Sequence, residues 1–415
     1  MRILLLTAAY LPYPEYGAEK AVRMLAAALG EAGHHVRVVT TCPAGEERCG
    51  MIDNHEVEYL AQRNFYWSGD RERKHAAEKV AWHIRDTRNP AMGAAVGAVY
   101  DRWRPDIVHT HILAGFSVDA WLAAAARHLP IVHTLHDRYL FCPTSTMFAR
   151  EAACTSHCFT CRPFSLPRRW ASGVVAGLTS PSRATIDVHD AGRFFPNARC
   201  KAVVPNFIAK DQAGAPAAKA SGRVIGFIGR LSVEKGVRLL LDRVQAFRGT
   251  SIDRLVIAGS GPLEPEVRAA AREDPRITFV GYQNSADFFG RIDALVVPSI
   301  CHDTSPNVIR EAFAHGIPVV GSTCGGIPEL VRLVDERLVF APDDPQSLAQ
   351  AVGIALDPSQ QPDLRSRALA AADAFSEARI MAAMTDVYRQ VVNTDARLSS
   401  RIDPHHAVGH RRERE

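Results

Sequence analysis

The chain has 415 residues, too many for one ordinary core, so two domains are the default expectation. Hydrophobic residues make up 47% and charged residues 23%, the balance of a globular protein that faces water. A net charge of +4 over this length excludes a global nucleic-acid field, and the most basic stretch, His405 to Arg414, reads as a frayed tail. No apolar run reaches the ~18–20 residues that span a bilayer, and Met1 to Thr7 is too short in apolar length for a signal sequence. The expectation is a cytoplasmic protein whose nine cysteines stay reduced, so that clustered thiols point to metal rather than disulfides.

Ile3 to Leu6 is an all-apolar strand of the kind buried on both faces of a parallel sheet. A turn-rich loop, Tyr10 to Gly17, leads to a helix over Ala18–Ala32 with apolar residues at Ala21, Met24, Leu25, Ala28 and Leu29. Gly33 stops it and His35–Thr40 is the next strand, which completes a βαβ unit. Further strands are predicted at Ile107–Thr110, Ile131–Leu135, Gly177–Ser180 and Ala202–Pro205, with helix at Ala120–His128. Phe65 to Trp103 mixes aromatics with Arg and Lys and reads as helical, either as a cover for one side of a cleft or as an amphipathic surface. Residues 209–222 hold no large apolar side chain and read as a linker.

The βα rhythm then restarts with strands Val224–Ile228, Arg254–Ala258, Ile277–Val280, Ala294–Val297 and Pro318–Gly321. Helices are predicted at Gly236–Gln245, Pro265–Arg272 and Ser285–Arg291. The pattern predicts an N-terminal α/β domain over 1–208, a second one over 223–375, a helix over 376–395 that packs back on the first, and a disordered tail over 396–415. Ligands of such sheets sit beyond the carboxyl ends of the strands, here between the lobes.

Two motifs fall at such strand ends. Gly229-Arg230-Leu-Ser-Val-Glu-Lys235-Gly236 puts two cations on a strand-to-helix loop, where a pyrophosphate is held by a guanidinium fork, an ammonium and backbone amides. Asp303-Thr304-Ser305-Pro306-Asn307 follows the strand Ala294–Val297. Ser305 is the expected N-cap, with Pro306 as first helical residue. Asp303 and Glu311 would reach different parts of one extended ligand, since a carboxylate accepts several hydrogen bonds from vicinal hydroxyls.

The stretch Pro298 to Leu330, with Glu311-Ala-Phe-Ala-His-Gly-Ile-Pro and Cys-Gly-Gly-Ile-Pro-Glu-Leu, resembles the donor site of family 4 glycosyltransferases. So do the Arg230/Lys235 loop, Ala258-Gly-Ser-Gly-Pro, Phe279-Val-Gly-Tyr, Val204-Pro-Asn-Phe-Ile, Tyr16-Gly-Ala-Glu, Val108-His-Thr-His and His133-Thr-Leu-His-Asp. The resemblance covers roughly residues 1–390. It implies a GT-B fold, two Rossmann-like domains facing across a cleft, and a retaining sugar transfer from a nucleotide-sugar donor to a glycan or lipid-linked glycan. It further implies a role in cell-surface polysaccharide synthesis at the inner membrane face.

By the same resemblance Arg230 and Lys235 neutralise the leaving diphosphate and Glu311 holds the ribose. Residue 303 and the backbone of Thr304 to Asn307 hold the sugar, His136 touches it from the first lobe, and Gly17 lets a loop approach closely. Position 303 is usually Glu in the family and is Asp here, which bears on donor choice. Tyr282 is a candidate to stack on the base. His111 is a second candidate in the first lobe. No Asp-x-Asp stands where a metal–diphosphate bridge would, so no cofactor is expected for catalysis.

Cys142, Cys154, Cys158 and Cys161 follow the spacing C-x11-C-x3-C-x2-C, which suits tetrahedral zinc, with His157 as a spare ligand. A subset of the family resembles this chain in its His-Asp…Cys-Pro…Cys…Cys-x-x-Cys run. Unlinked thiols, a disulfide and an iron–sulfur cluster are the alternatives. Arg162 to Trp170, apolar and aromatic residues among three arginines, reads as a loop for peripheral membrane contact or as an ordinary exposed loop. Rival readings of the whole chain are a GT-B epimerase or phosphorylase, a periplasmic-type binding protein and a non-catalytic GT-B subunit.

Overall fold

The structure is a computed structural model and describes residues 1–15, 17–208, 222–246 and 252–402. The first half runs β1 (Arg2–Leu6), α1 (Gly17–Glu31), β2 (His35–Cys42), β3 (Arg48–Ile52), β4 (His55–Ala61), α2 (Ala76–Thr87), α3 (Pro90–Trp103), β5 (Ile107–Thr110), α4 (Asp119–Ala125) and β6 (Ile131–Thr134). It continues through a short hairpin, β7 (Phe148–Ala149) and β8 (Ala152–Ala153), to α5 (Arg162–Ala171), β9 (Gly177–Ser180), α6 (Arg183–Ala191) and β10 (Cys200–Val203). The second half runs β11 (Val224–Ile228), α7 (Val237–Ala246), β12 (Arg254–Ala258), α8 (Glu264–Glu273), β13 (Ile277–Phe279), α9 (Ser285–Phe289), β14 (Ala294–Val297), α10 (Asn307–Ala314) and β15 (Val319–Ser322). It closes with α11 (Ile327–Val331), β16 (Val339–Phe340), α12 (Pro345–Leu356), α13 (Gln361–Ala372) and α14 (Glu377–Ile402).

Each half is a doubly wound sheet. The first has eight strands in the order β10-β9-β6-β5-β1-β2-β4-β3, and the second six in the order β13-β12-β11-β14-β15-β16. All neighbours are parallel except the edge pair β3 and β4. The central strands are uniformly apolar because helices cover both faces: Ile3 to Leu6 and Leu255, Ile257 and Ala258 are fully buried. Strand order reverses at β1 and at β11, so a crevice opens beyond the carboxyl end of each. These ends carry the loop before Gly17 and the loop Gly229–Lys235.

Helix α14 leaves the second half and lies on the first. Ile380, Met384, Val387, Tyr388 and Val391 pack with Ile3, Leu5 and Val132. Tyr388 Oη meets His109 Nδ1 at 2.7 Å, and His109 Nε2 meets Thr134 Oγ1 at 2.7 Å. No helix among the described residues is long and apolar enough to cross a membrane.

Some expectations change. The hairpin β3–β4 lies where no element was predicted. Its outer strand is exposed and lacks alternation, and only the Asp53-Asn54 turn, with φ of 45° and 64°, marks it. Arg162–Trp170, expected as a loop, belongs to helix α5, because Pro163 near its start is compatible with a first turn. Pro306, not Ser305, is the N-cap of α10, and no side chain caps it. Helix α14 runs to Ile402, past 396 where the tail was expected. Tyr16, linker residues 209–221 and residues 403–415 lie outside the described residues.

The interior holds an unusual set of imidazoles. His83, His109, His111, His133 and His189 are buried, and His136 is half-buried beside them. Burial pushes His83 and His136 down to about 4, His109 and His189 to about 3, and His111 and His133 well below the ordinary value. A folded-state value below the unfolded one means that the unfolded chain takes up the proton first. Stability is therefore intact above about pH 6.5 and falls as pH drops toward 4, each group changing it by up to about 1.4 kcal/mol per pH unit. Burial pushes Asp86 and Asp137 up to about 6, and these two act in the opposite direction. Six outweigh two, so the melting temperature should fall by about 10 °C or more between pH 7 and pH 5. A melting temperature that is flat or rises over this window in scanning calorimetry would contradict the buried neutral imidazoles.

Candidate active site

A cavity of about 320 Å³ lies between the halves, at the carboxyl ends of β1, β11 and β14. Its walls bring together Gly17, His136, Arg230, Lys235, Asp303 and the run Thr304 to Asn307. Sequence reasoning had placed all of these at one ligand. Pro181 also lines it, with no sequence signal, and so does Asn206, which stands in the Val204-Pro-Asn motif. Glu311 opens instead onto a small adjoining crevice with Lys20, Asn307 and Arg310. Tyr282 does not line the cavity. It follows Gly281, whose φ is 70°, and is 82% exposed.

The second half supplies the charge. Arg230 is exposed at the rim. Lys235 ends a 3-10 turn and forms an ion pair with Asp303. Burial opposes charge on Lys235, but Asp303 and then Cys301 outweigh it, and the ammonium is held above its ordinary pKa. Gly236 follows with φ 74°, and a Cβ there would meet the Pro298 carbonyl at 1.8 Å, so the turn requires glycine. The amides of Thr304 and Ser305 find no acceptor among the described residues.

Arg310 is the residue that sequence reasoning missed. It is 1% exposed, donates from Nη1 to Ser305 Oγ at 2.6 Å, and donates from Nη2 to Asn307 Oδ1. Burial pushes its guanidinium down to about 10. The signal was a cation between the buried apolar residues Ile309 and Ala312, which a solvated helix face would not have.

The first half reaches across. Thr304 Oγ1 donates to the His136 carbonyl at 2.9 Å, Asn307 Nδ2 to the Gly17 carbonyl at 3.3 Å, and Asn206 Nδ2 to Asn307 Oδ1 at 3.2 Å. Glu329, at the start of α11, accepts the Arg183 and Ala184 amides at 2.8 and 2.7 Å and caps α6 from the other lobe. A Cβ on Gly17 would stand 3.2 Å from Asn307 Nδ2, so the close approach leaves little room for a side chain. His136 Nε2 meets His111 Nδ1 at 3.0 Å, and both rings are neutral at pH 7.

The four clustered cysteines are free thiols. Cys142 lies beside Thr144 Oγ1 at 3.1 Å and Cys158 beside Thr160 Oγ1 at 3.3 Å. Burial, then hydrogen bonding to Cys158, pushes the Cys161 thiol up, while hydrogen bonds with Cys161 and Thr160 pull the Cys158 thiol down. Among the described residues no three His, Cys, Asp or Glu side chains converge to hold an ion. The zinc expected at Cys142, Cys154, Cys158 and Cys161 thus finds no support. Cys161 interacts with Cys142 and Cys158, and these two also engage hydroxyls, so the thiols lie near one another without forming an ion-holding group among the described residues.

Two facing Rossmann-like halves, with cations at the strand ends of one, define a glycosyltransferase of the GT-B class that uses a nucleotide sugar. The chain matches Glycosyltransferase Family 4 over residues 16–212 and Glycosyl transferases group 1 over residues 222–357. It belongs to glycosyltransferase family 4.

Among relatives, an uncharacterized 42.6 kDa protein in the cps region of Klebsiella pneumoniae is 27% identical over 334 residues, 80% of this chain and 88% of that one. A glycogen synthase of Mycobacterium tuberculosis is 29% identical over 395 residues, 89% of each chain. Among solved structures, sucrose-phosphate synthase from Thermosynechococcus elongatus superposes with a TM-score of 0.73 at 18% identity, covering 95% of this chain and 99% of that one. Anabaena HepE in complex with UDP-glucose gives 0.62 at 17%, covering 96% and 100%.

Arg310 has no carboxylate within ion-pair distance among the described residues and serves to orient Ser305 and Asn307. Arg310→Met keeps the volume and removes the buried charge. It should leave the melting temperature within a few degrees, because apolar replacement of a buried ion is often neutral or stabilising. Donor KM should rise about tenfold, the effect of one lost charge-assisted contact. An unchanged donor KM would show that Arg310 does not position the loop.

Proposed function

We propose that this chain transfers a sugar with retention of anomeric configuration from a nucleotide-sugar donor to a glycan or lipid-linked glycan. The observation that carries the reading is the placement of Arg230 and Lys235 on one loop at the end of β11, lining the same cavity as Thr304 and Ser305, whose amides find no acceptor among the described residues. Breaking the glycosidic C–O bond builds negative charge on the diphosphate and positive charge on the ring. Fixed cations in an enclosed cleft stabilise the first without having to reorganise. In this reading Arg230 forks onto the diphosphate and Lys235 supplies a point charge. Asp303 takes sugar hydroxyls, with the backbone through Asn307. Glu311, in the adjoining crevice, takes the ribose.

His136 is a neutral hydrogen-bond partner to the sugar rather than a cation, because burial holds it at about 4. Its Nε2 is engaged by His111, which leaves Nδ1 for the ligand. Asp303 already pairs with Lys235, so the donor enters a site whose cation is partly neutralised and must share it. The acceptor side belongs to the first half. A place at the cytoplasmic membrane face in cell-surface polysaccharide synthesis is part of this proposal. The relative in the Klebsiella cps region supports it.

The test is nucleotide release from a panel of nucleotide sugars, with and without acceptor. Release that needs acceptor supports transfer, and interconversion without acceptor would point to an epimerase. With a working donor in hand, Arg230→Ala and Lys235→Ala should each lower turnover by about 10²-fold or more. Glu311→Ala should raise donor KM instead. Near-normal turnover in both cation variants would overturn the assignment.

A further inference from the structure

Away from the cleft, the first half carries a second cavity, of about 480 Å³, between α5 and the turn after α6. Arg162, Arg169 and Arg193 surround it, with His157 at one side. Phe141, Leu166 and Phe194 make its apolar wall. None of the three guanidinium groups is paired with a carboxylate among the described residues. Residues 152–186 contain no Asp or Glu, and Asp190 on α6 is tied to Lys201 at 2.5 Å. Three unpaired arginines around one cavity form an anion site, since each offers a fork of donors that matches phosphate oxygens.

Exposed apolar side chains border this cavity among its arginines. Leu166 lines it and is 55% exposed, Trp170 one turn along α5 is 66% exposed, and Phe159 just before α5 is 84% exposed. Helix α2 packs beside α5 and adds Val80 and Ile84, 54% and 61% exposed, one turn apart on one face. Arg88 at the end of α2 stands over the Trp170 ring at 5.6 Å, which holds the indole at the junction of the two helices. A soluble phosphate ligand has no use for such a rim. Exposed large apolar side chains beside a basic pocket match a bilayer, where the apolar groups enter the acyl boundary and the cations meet headgroups.

We propose that this pocket binds the phosphate headgroup of an anionic phospholipid while the exposed apolar side chains of α5 and α2 insert beside it. The site is separate from the donor cavity and gives the peripheral placement named above a definite surface. Binding is scored without donor or acceptor, so its failure and the failure of the transfer reading are distinguishable.

The experiment is flotation of the full chain with vesicles of phosphatidylcholine alone and with vesicles in which phosphatidylglycerol replaces part of it. The chain should float with the anionic vesicles only. Combining Arg162→Gln, Arg169→Gln and Arg193→Gln should weaken that binding about a hundredfold, from about fivefold per basic residue. The same three positions as Lys should bind between the two, since an ammonium keeps the charge and loses the fork. Leu166→Ser with Trp170→Ser should also weaken binding while leaving nucleotide release with a soluble acceptor unchanged. Thermal melting of each variant shows that it is folded. No flotation, equal flotation with neutral vesicles, or full binding by the folded triple Gln variant would overturn the proposal.

Discussion

The site depends on one short piece of chain, the loop from Pro298 to Pro306, being held from both lobes at once. Its beginning is pinned by Gly236, which packs against the Pro298 carbonyl where a Cβ could not fit. Its middle is pinned by Lys235 on Asp303 and by Gly325 and Gly326, whose α-carbons approach the carbonyls of Asp303 and Thr304. Its end is clamped from below by Arg310 through Ser305 and Asn307. The other lobe then meets it through the backbone carbonyls of His136 and Gly17. Backbone atoms are the least adjustable partners a protein has, so the loop, the helix start and the cleft floor are positioned together.

This arrangement gives the cleft an uneven charge. Arg230 is free of ion pairs among the described residues, Lys235 is partly spent on Asp303, and Arg310 is buried beneath the floor where it contributes field rather than contact. The first half contributes no charge at the cavity, because burial keeps His136 and His111 neutral. Positive charge at the cavity is therefore confined to one wall, and the opposite wall offers hydrogen bonds. Asp303 reaches Lys235, and that ion pair ties the loop after β14 to the cation loop after β11.

What could be read in advance follows a physical division. Strands buried on both faces are all-apolar, and their ends are marked by Gly, Pro and cations, so β1, β5, β11, β12 and β14 and the loops beyond them were legible. So were the residues on those loops, Gly17, Arg230, Lys235 and Asp303 to Asn307. Edge and surface elements carry no such pattern. The hairpin β3–β4 has an exposed outer strand, and α5 has Pro167 within it and arginines that mimic a loop. Tyr282 depended on which way one turn points, and the thiols on where four side chains end in space. Neither is encoded by spacing.

The same division bears on how the lobes are joined. Besides the contacts of Thr304 and Asn307, contacts between the halves include Glu329 of α11 on the start of α6, His302 on the Cys154 carbonyl at 3.2 Å, and Arg238 with Glu151 at 2.9 Å. These are polar contacts, and the exposed ion pair among them, Arg238 with Glu151, holds little in water. The two large apolar clusters that hold the halves together internally do not fuse across the cleft. The segment from His136 to Cys161 starts in the donor cavity, touches the other lobe at Glu151 and Cys154, and ends at α5. Cys142, packed in the core of the first half, anchors this segment. Each sheet keeps its own core, and the two are joined by polar contacts and by the α14 helix.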